Sequence, residues 1–124
     1  MSRSQVVISG GGPVGLICAY ALARRGVTVT VLDQNGELQD DPRAATTHPA
    51  TLELLDGLGV IDQVIEQGLI AEDFEFWDRP TGEKIATFDH AVLVDDTKFP
   101  FVVQCEQFKL AKIFLAKLQD ETSV

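Results

Sequence analysis

Positive charge is scarce in this sequence. Ten lysines and arginines stand against 19 aspartates and glutamates, a formal charge of −9, and the few cations form no cluster. A nucleic-acid surface needs a basic patch to neutralise phosphates, so that class of partner is excluded. Cysteine and histidine are equally sparse, at two each. Cys18 and Cys105 make no Cys-x-x-Cys pair, and His48 and His90 stand in no motif. The expectation is free thiols in core or half-buried positions, and no metal site. Long apolar runs are also missing. The longest are strand-sized, well short of the roughly 20 residues of a membrane helix, and strand residues begin too early for a secretory pattern. Together these absences predict a soluble, cytoplasmic protein with no membrane partner. No internal repeat or low-complexity tract occurs. At 124 residues, 45% of them hydrophobic, the chain is one small globular domain or part of a larger one.

Glycine, by contrast, is concentrated in one place. Val6-Val7-Ile8-Ser9 reads as a strand that runs straight into Gly10-Gly11-Gly12-Pro13-Val14-Gly15, a Gly-x-Gly-x-x-Gly turn that opens a helix. Gly10 suits the positive φ of a tight turn, Gly12 lets a phosphate approach the backbone, and Gly15 lets the helix pack closely on the strand. Pro13 fits the first helical position, where its missing N–H has no intrahelical partner. Leu16, Ile17, Ala19, Tyr20, Leu22 and Ala23 supply an apolar face. Arg24 and Arg25 complement the negative end and Gly26 provides the stop, so the helix spans Pro13 to Arg25. Free N–H groups at its start, with the macrodipole, favour an anion, and the turn suits a diphosphate.

The segment from Val27 to Asp33 is dense in β-branched residues and completes a βαβ unit. Asp33 lies where an acid can accept both hydroxyl protons of an adenosine ribose and disfavour a 2′-phosphate, which implies FAD or NAD rather than NADP. The competing reading is a solvated strand-end carboxylate. The following loop carries Pro42-Arg43-Ala44, and Arg43 is the one cation between Arg25 and Arg79. It is a candidate to neutralise a phosphate, or equally a surface arginine paired with Asp40 or Asp41.

Beyond that loop, Thr47 to Gly59 reads as a helix with Leu52, Leu55 and Leu58 on one side. A short helix follows from Ile61 to Gln67, with Ile61, Val64 and Ile65 as its core face. The period then changes to two. Asp73 to Asp78 and Lys84 to Asp89 alternate about the turn Arg79-Pro80-Thr81-Gly82, a β-hairpin. Its Trp77 and phenylalanines are expected in core or inter-sheet packing, ahead of an aromatic-substrate pocket. Phe99 to Cys105 reads as another strand. Glu106 to Gln119 reads as a helix with the core stripe Leu110, Ile113, Phe114 and Leu118. Gln107 at its start offers an amide that both donates and accepts, toward a cofactor or toward solvent.

The glycine turn, Asp33, Pro42-Arg43-Ala44, the Thr51-Leu52-Glu53-Leu54-Leu55 helix ending in Leu58-Gly59, and Gln107-x-x-Leu110 form a combined pattern. It resembles the N-terminal part of the single-component (class A) FAD-dependent aromatic hydroxylases, in the phenol hydroxylase and 3-(3-hydroxyphenyl)propionate hydroxylase branch. The resemblance implies an α/β fold, a Rossmann-like βαβ FAD-binding unit with an inserted β-hairpin. Residues 1–124 would be the N-terminal part of the FAD-binding domain, with 72–105 the start of the substrate-domain β-structure. It further implies that Gly10, Gly12, Pro13, Val14 and Gly15 hold the FAD diphosphate and that Asp33 binds the adenosine ribose. Gln34 joins the cofactor-binding set, and Arg43 and Gln107 contact the diphosphate and ribityl region.

The implied reaction has NADH or NADPH as transient reductant of FAD. The reduced flavin captures O₂ as a C4a-hydroperoxide, and the distal oxygen passes to a small, electron-rich aromatic substrate. Asp33 stands where members of the family more often carry Glu. Members are several times longer, with Asp-Gly and Gly-Asp motifs further along. The chain is therefore expected to be an N-terminal fragment, inactive alone and without a catalytic residue that can be named. Exposed sheet edges would favour homo-oligomers. Two alternatives remain at this point: a catalytically incompetent nucleotide-binding fragment, and the NAD-binding Rossmann domain of a dehydrogenase.

Overall fold

The computed structural model describes residues 5–120. The chain divides into two compact units, one formed by residues up to Ala44 together with those from Glu106 on, the other by Ala45–Cys105.

In the first unit β1 (Val6–Ser9) and β2 (Val29–Leu32) pair in parallel, with Val6 opposite Val29 and Ser9 opposite Leu32. The helix α1 (Pro13–Ala23) connects them, with Pro13 in its first turn as its fixed φ requires. It ends two residues short of Arg25, because Arg24 is the cap and Gly26, at φ 76°, turns the chain. The two arginines thus fall beyond the last turn. Arg25 still reaches back, its guanidinium donating to the Ala21 carbonyl at 2.9 Å. The helix α4 (Gln107–Gln119) packs on α1. Leu16, Ala19, Tyr20 and Ala23 of α1 are buried at helical spacing, and all four residues of the expected α4 stripe are buried too. Tyr20 meets the fully buried Phe114 edge to face, with centroids 5.5 Å apart. The opposite face of the two-stranded sheet stays open, with Val7 and Leu32 exposed. Cys18 is exposed on α1, contrary to the core or half-buried position expected for it, whereas Cys105 is buried.

In the second unit β7 (Val102–Gln104) is the middle of three strands, antiparallel to both β3 (Thr46–Thr47) and β4 (Leu69–Ala71). Thr47 is therefore a buried strand residue and not the start of a helix. The helix α2 (Pro49–Gly57) begins only at Pro49, where a missing N–H is harmless. Leu52 and Leu55 of α2, Val64 of α3 (Ile61–Gln67) and Val60 between them are essentially inaccessible, as is Val103 of β7. The strands β5 (Asp73–Trp77) and β6 (Lys84–Asp89) form the expected hairpin, with a register shift at Phe76/Trp77. Its turn is closed by the Gly82 N–H donating to the Asp78 carbonyl at 2.8 Å. The hairpin aromatics are not core: Phe74, Phe76, Trp77 and Phe88 are each about half exposed. Alternation places Phe74, Phe76 and Phe88 on one face, where Phe74 stacks on Phe88 at 4.8 Å. A single 3₁₀ turn, His90–Leu93, follows, capped by the Asp89 carboxylate. Among the described residues no helix is long and apolar enough to cross a membrane.

Phe114 is the largest fully buried side chain. Phe114→Ala is expected to destabilise the protein by about 3–5 kcal/mol, read by urea denaturation. A loss below about 1 kcal/mol would mean that the α1–α4 contact does not hold this unit together.

Candidate cofactor site

The glycines between β1 and α1 have separate jobs. Gly10 takes φ 109°, a value L side chains rarely adopt, and its N–H donates to the Leu32 carbonyl at 2.7 Å. Gly15 lies where a Cβ would fall well inside contact with the Gly10 carbonyl and 3.3 Å from Ile8 Cγ2. The helix can start this close to the strand only without a side chain there. A Cβ on Gly12 would meet nothing within 4 Å. Gly12 is the residue just before α1, and its carbonyl accepts from the Leu16 N–H at 3.0 Å. Among the described residues no acceptor meets the N–H groups of Gly12, Val14 or Gly15, and the first turn of α1 carries no acid. Unpaired donors and a positive helix end converge there on open space, which suits an anion.

Asp33 follows directly on β2. Its Oδ2 accepts the Gly11 N–H at 2.6 Å and its Oδ1 the Asn35 N–H at 2.8 Å. These bonds, that from Asn35 first and that from Gly11 second, hold its carboxyl below the usual carboxylate range. An ionised carboxylate offers about four acceptor positions, more than the Gly11 and Asn35 N–H groups occupy.

Gly12, Pro13, Asp33, Arg43 and Gln107 all line one open cleft of about 520 Å³ within the first unit. Gly10, Val14, Gly15 and Gln34 do not line it, and Val14 is 82% exposed. Gln107 is exposed in the first turn of α4, its N–H bonded to the Ala44 carbonyl at 3.1 Å. Arg43 lies 3.5 Å from the Asp41 carboxylate, both side chains largely exposed, so its surface pairing is real. A phosphate would have to compete with Asp41 for it. Reading the sequence missed Gly11 and Asn35, whose backbones hold Asp33. It also missed the apolar wall formed by Leu38, Phe108, Ala111 and Leu115. The helical spacing of the last three on α4 was a usable signal, since they share the face that carries Gln107. The arrangement can bind an anion and adjacent hydroxyls beside an apolar surface.

The FAD binding domain family matches residues 3–123. The chain is 36% identical over 117 residues to 6-hydroxy-3-succinoylpyridine 3-monooxygenase of Pseudomonas putida, covering 94% of this chain and 30% of that protein. Crystalline p-nitrophenol 4-monooxygenase of Pseudomonas putida superposes with a TM-score of 0.90 at 34% identity, over 96% of this chain and 30% of that one. A ternary complex of aklavinone-11 hydroxylase with FAD and aklavinone superposes with a TM-score of 0.78 at 31% identity, over 96% of this chain and 24% of that one. The chain thus spans less than a third of the length of these relatives. The α/β architecture is theirs, and the match favours FAD over the dehydrogenase alternative. With nearly every residue inside the family's match and the glycine turn built as described, this chain belongs to the FAD binding domain family, and its homologues are FAD-dependent aromatic monooxygenases.

Proposed function

We propose that this chain is the FAD-binding portion of a cytoplasmic monooxygenase that uses NADH or NADPH and O₂ to hydroxylate a small phenolic or related aromatic compound. The observation that carries the reading is the cradle at Gly12. N–H groups with no acceptor among the described residues meet open space there, on the wall of a cleft that Asp33, Arg43 and Gln107 also line. The residues fit FAD: a diphosphate needs backbone donors without a side chain in the way, and an adenosine ribose needs an acceptor pair such as Asp33. By name, one relative acts on a hydroxylated pyridine and a structural neighbour on p-nitrophenol, which supports a hydroxylated ring as substrate.

FAD, when bound, supplies the redox chemistry, accepting reducing equivalents from the nicotinamide and activating O₂ for transfer of one oxygen atom to the ring. The chain's own residues bind and orient it. The α1 terminus takes the diphosphate, with Val14 and Gly15 contributing backbone N–H groups from outside the cleft wall. Asp33 accepts the ribose hydroxyls on the lone pairs that Gly11 and Asn35 leave free, with Gln34 beside it. Arg43 exchanges Asp41 for a phosphate oxygen, and the Gln107 amide meets the diphosphate or ribityl chain. The α4 wall keeps water from that side. Residues 72–105, with the half-exposed hairpin aromatics, begin the β-structure of the substrate domain.

Four outcomes test this reading. Gly12→Val is expected to leave thermal stability unchanged, because its side chain enters open space, yet to abolish FAD binding measured by flavin fluorescence quenching. Gly15→Ala should instead lose about 1–3 kcal/mol of stability through overpacking. Unaltered FAD affinity in Gly12→Val contradicts the diphosphate assignment. Arg43→Ala should weaken FAD about tenfold, as for a lost charge-assisted hydrogen bond, and the loss should shrink in high salt because the site is exposed. An unchanged Kd at low salt returns Arg43 to its Asp41 pairing alone. For Asp33, the folded protein favours the ionised form, so its stabilising effect is complete above the ordinary carboxylate pKa of about 3.9 and is lost as the pH falls through the lower folded value. The stability difference between wild type and Asp33→Ala should therefore be constant from neutral pH down to that region and shrink only below it. A difference that already declines near pH 6 would show that the carboxyl is not held down.

A further inference from the structure

Asp33 makes contacts that ribose recognition does not require. Consecutive N–H groups of the glycine turn are both tied to the end of β2: Gly10 to the Leu32 carbonyl at 2.7 Å and Gly11 to the Asp33 carboxylate at 2.6 Å. The other oxygen of Asp33 holds the Asn35 N–H at 2.8 Å, so one side chain joins the turn after β1 to the loop after β2. Position 11 is matched to this arrangement. Gly11 has no positive φ, so its backbone conformation does not call for glycine. A Cβ there, however, would lie 3.3 Å from Asp33 Cβ and 3.4 Å from Oδ2, a tight contact that crowds the Asp33 side chain against the turn. Glycine at 11 therefore allows the short aspartate at 33 to reach the turn.

We propose that Asp33 is a positioning residue for the diphosphate turn, with the Gly11 N–H as its partner: the bond between them holds the turn in the shape that leaves the Gly12, Val14 and Gly15 N–H groups free. This deepens the FAD reading and rests on it. The pair acts on FAD through the shape of the turn, in addition to any hydroxyl the carboxylate accepts. It also explains the spacing of tasks in Gly10-Gly11-Gly12: the first two N–H groups anchor the turn, and the third begins the ligand surface.

A double-mutant cycle tests it, since residues that act through one contact give non-additive effects. Asp33→Ala, Gly11→Ala and the double variant are compared by FAD Kd from flavin fluorescence and by hydrogen exchange at the Gly11 amide in FAD-free protein. Asp33→Ala should raise Kd about tenfold or more and Gly11→Ala by about tenfold, the order of one charge-assisted hydrogen bond. The double variant should bind no more weakly than Asp33→Ala, and Gly11 amide exchange should accelerate in Asp33→Ala. Because Gly11 also borders the cleft, an alanine that merely struck the ligand would weaken FAD in both backgrounds. Additive effects, or a Gly11 amide equally protected without Asp33, overturn the proposal. Asp33→Asn, with one acceptor oxygen in place of two, should fall between wild type and Asp33→Ala in both readouts. Behaviour identical to wild type overturns the proposal even if Gly11→Ala fails to fold. If wild type binds no FAD, the functional reading fails instead, and amide exchange alone decides whether the Asp33–Gly11 bond holds the turn.

Discussion

The close approach of α1 to β1 at Gly15 and the Gly10 carbonyl is the constraint on which the first unit depends. A side chain at position 15 would push the helix start away from the strand. The N–H groups of the first turn would then leave the end of the sheet, and the cleft walls contributed by Gly12 and Pro13 would move with them. Gly10 makes the approach possible from the other side, by turning the chain at φ 109° within one residue of the strand end. The buried stripe of Leu16, Ala19, Tyr20 and Ala23, with α4 packed on α1 and Tyr20 against Phe114, holds the remainder of the helix at that depth. Core packing and ligand geometry are therefore one problem in this unit: the apolar stripe fixes the axis along which the anion-binding end points.

The charge pattern is unusual for a site proposed to take a diphosphate. The protein carries a formal charge of −9, and Glu37 and Asp41 stand on the cleft wall beside Arg43. Such a surface repels free anions. Backbone dipoles overcome this only at short range, where N–H groups point at the ligand and water is displaced. On the proposed reading, a ligand must offer more than charge: hydroxyls for Asp33, apolar surface for the α4 wall, and a diphosphate for the turn. An isolated phosphate gains only the last of these. Engagement of Asp33 by Gly11 and Asn35 serves the same end, because those two donors draw off part of its negative charge.

Much of the first unit was legible in the sequence, for stated physical reasons. Gly-x-Gly-x-x-Gly between a β-branched strand and a Pro-started helix has few structural solutions, and Gly10 and Gly15 have the turn and close-packing roles that it implies. The α4 stripe was legible because four large apolar residues repeat at helical spacing. Other features had no local signal. The strands β3 and β4 are two and three residues long, too short for a period of two to register, and exist because β7 pairs with both. Thr47 has the sequence context of a helix start for that reason. The hairpin is legible from its alternation, but the core or inter-sheet packing expected of its aromatics is not what they have; apolar character says that a side chain gains from burial, not that this stretch of chain supplies the cover. Asn35 and Gly11 were invisible because they act through backbone N–H groups, which every residue but proline possesses.

The measurement that bears most directly on the central claim is equilibrium titration of the flavin-free protein with FAD, followed by quenching of flavin fluorescence and checked by visible absorbance of the complex. The account predicts a saturable change with one FAD per chain. Absence of any saturable change in a protein shown to be folded would contradict it, and the glycine turn would then be a structural element without its ligand.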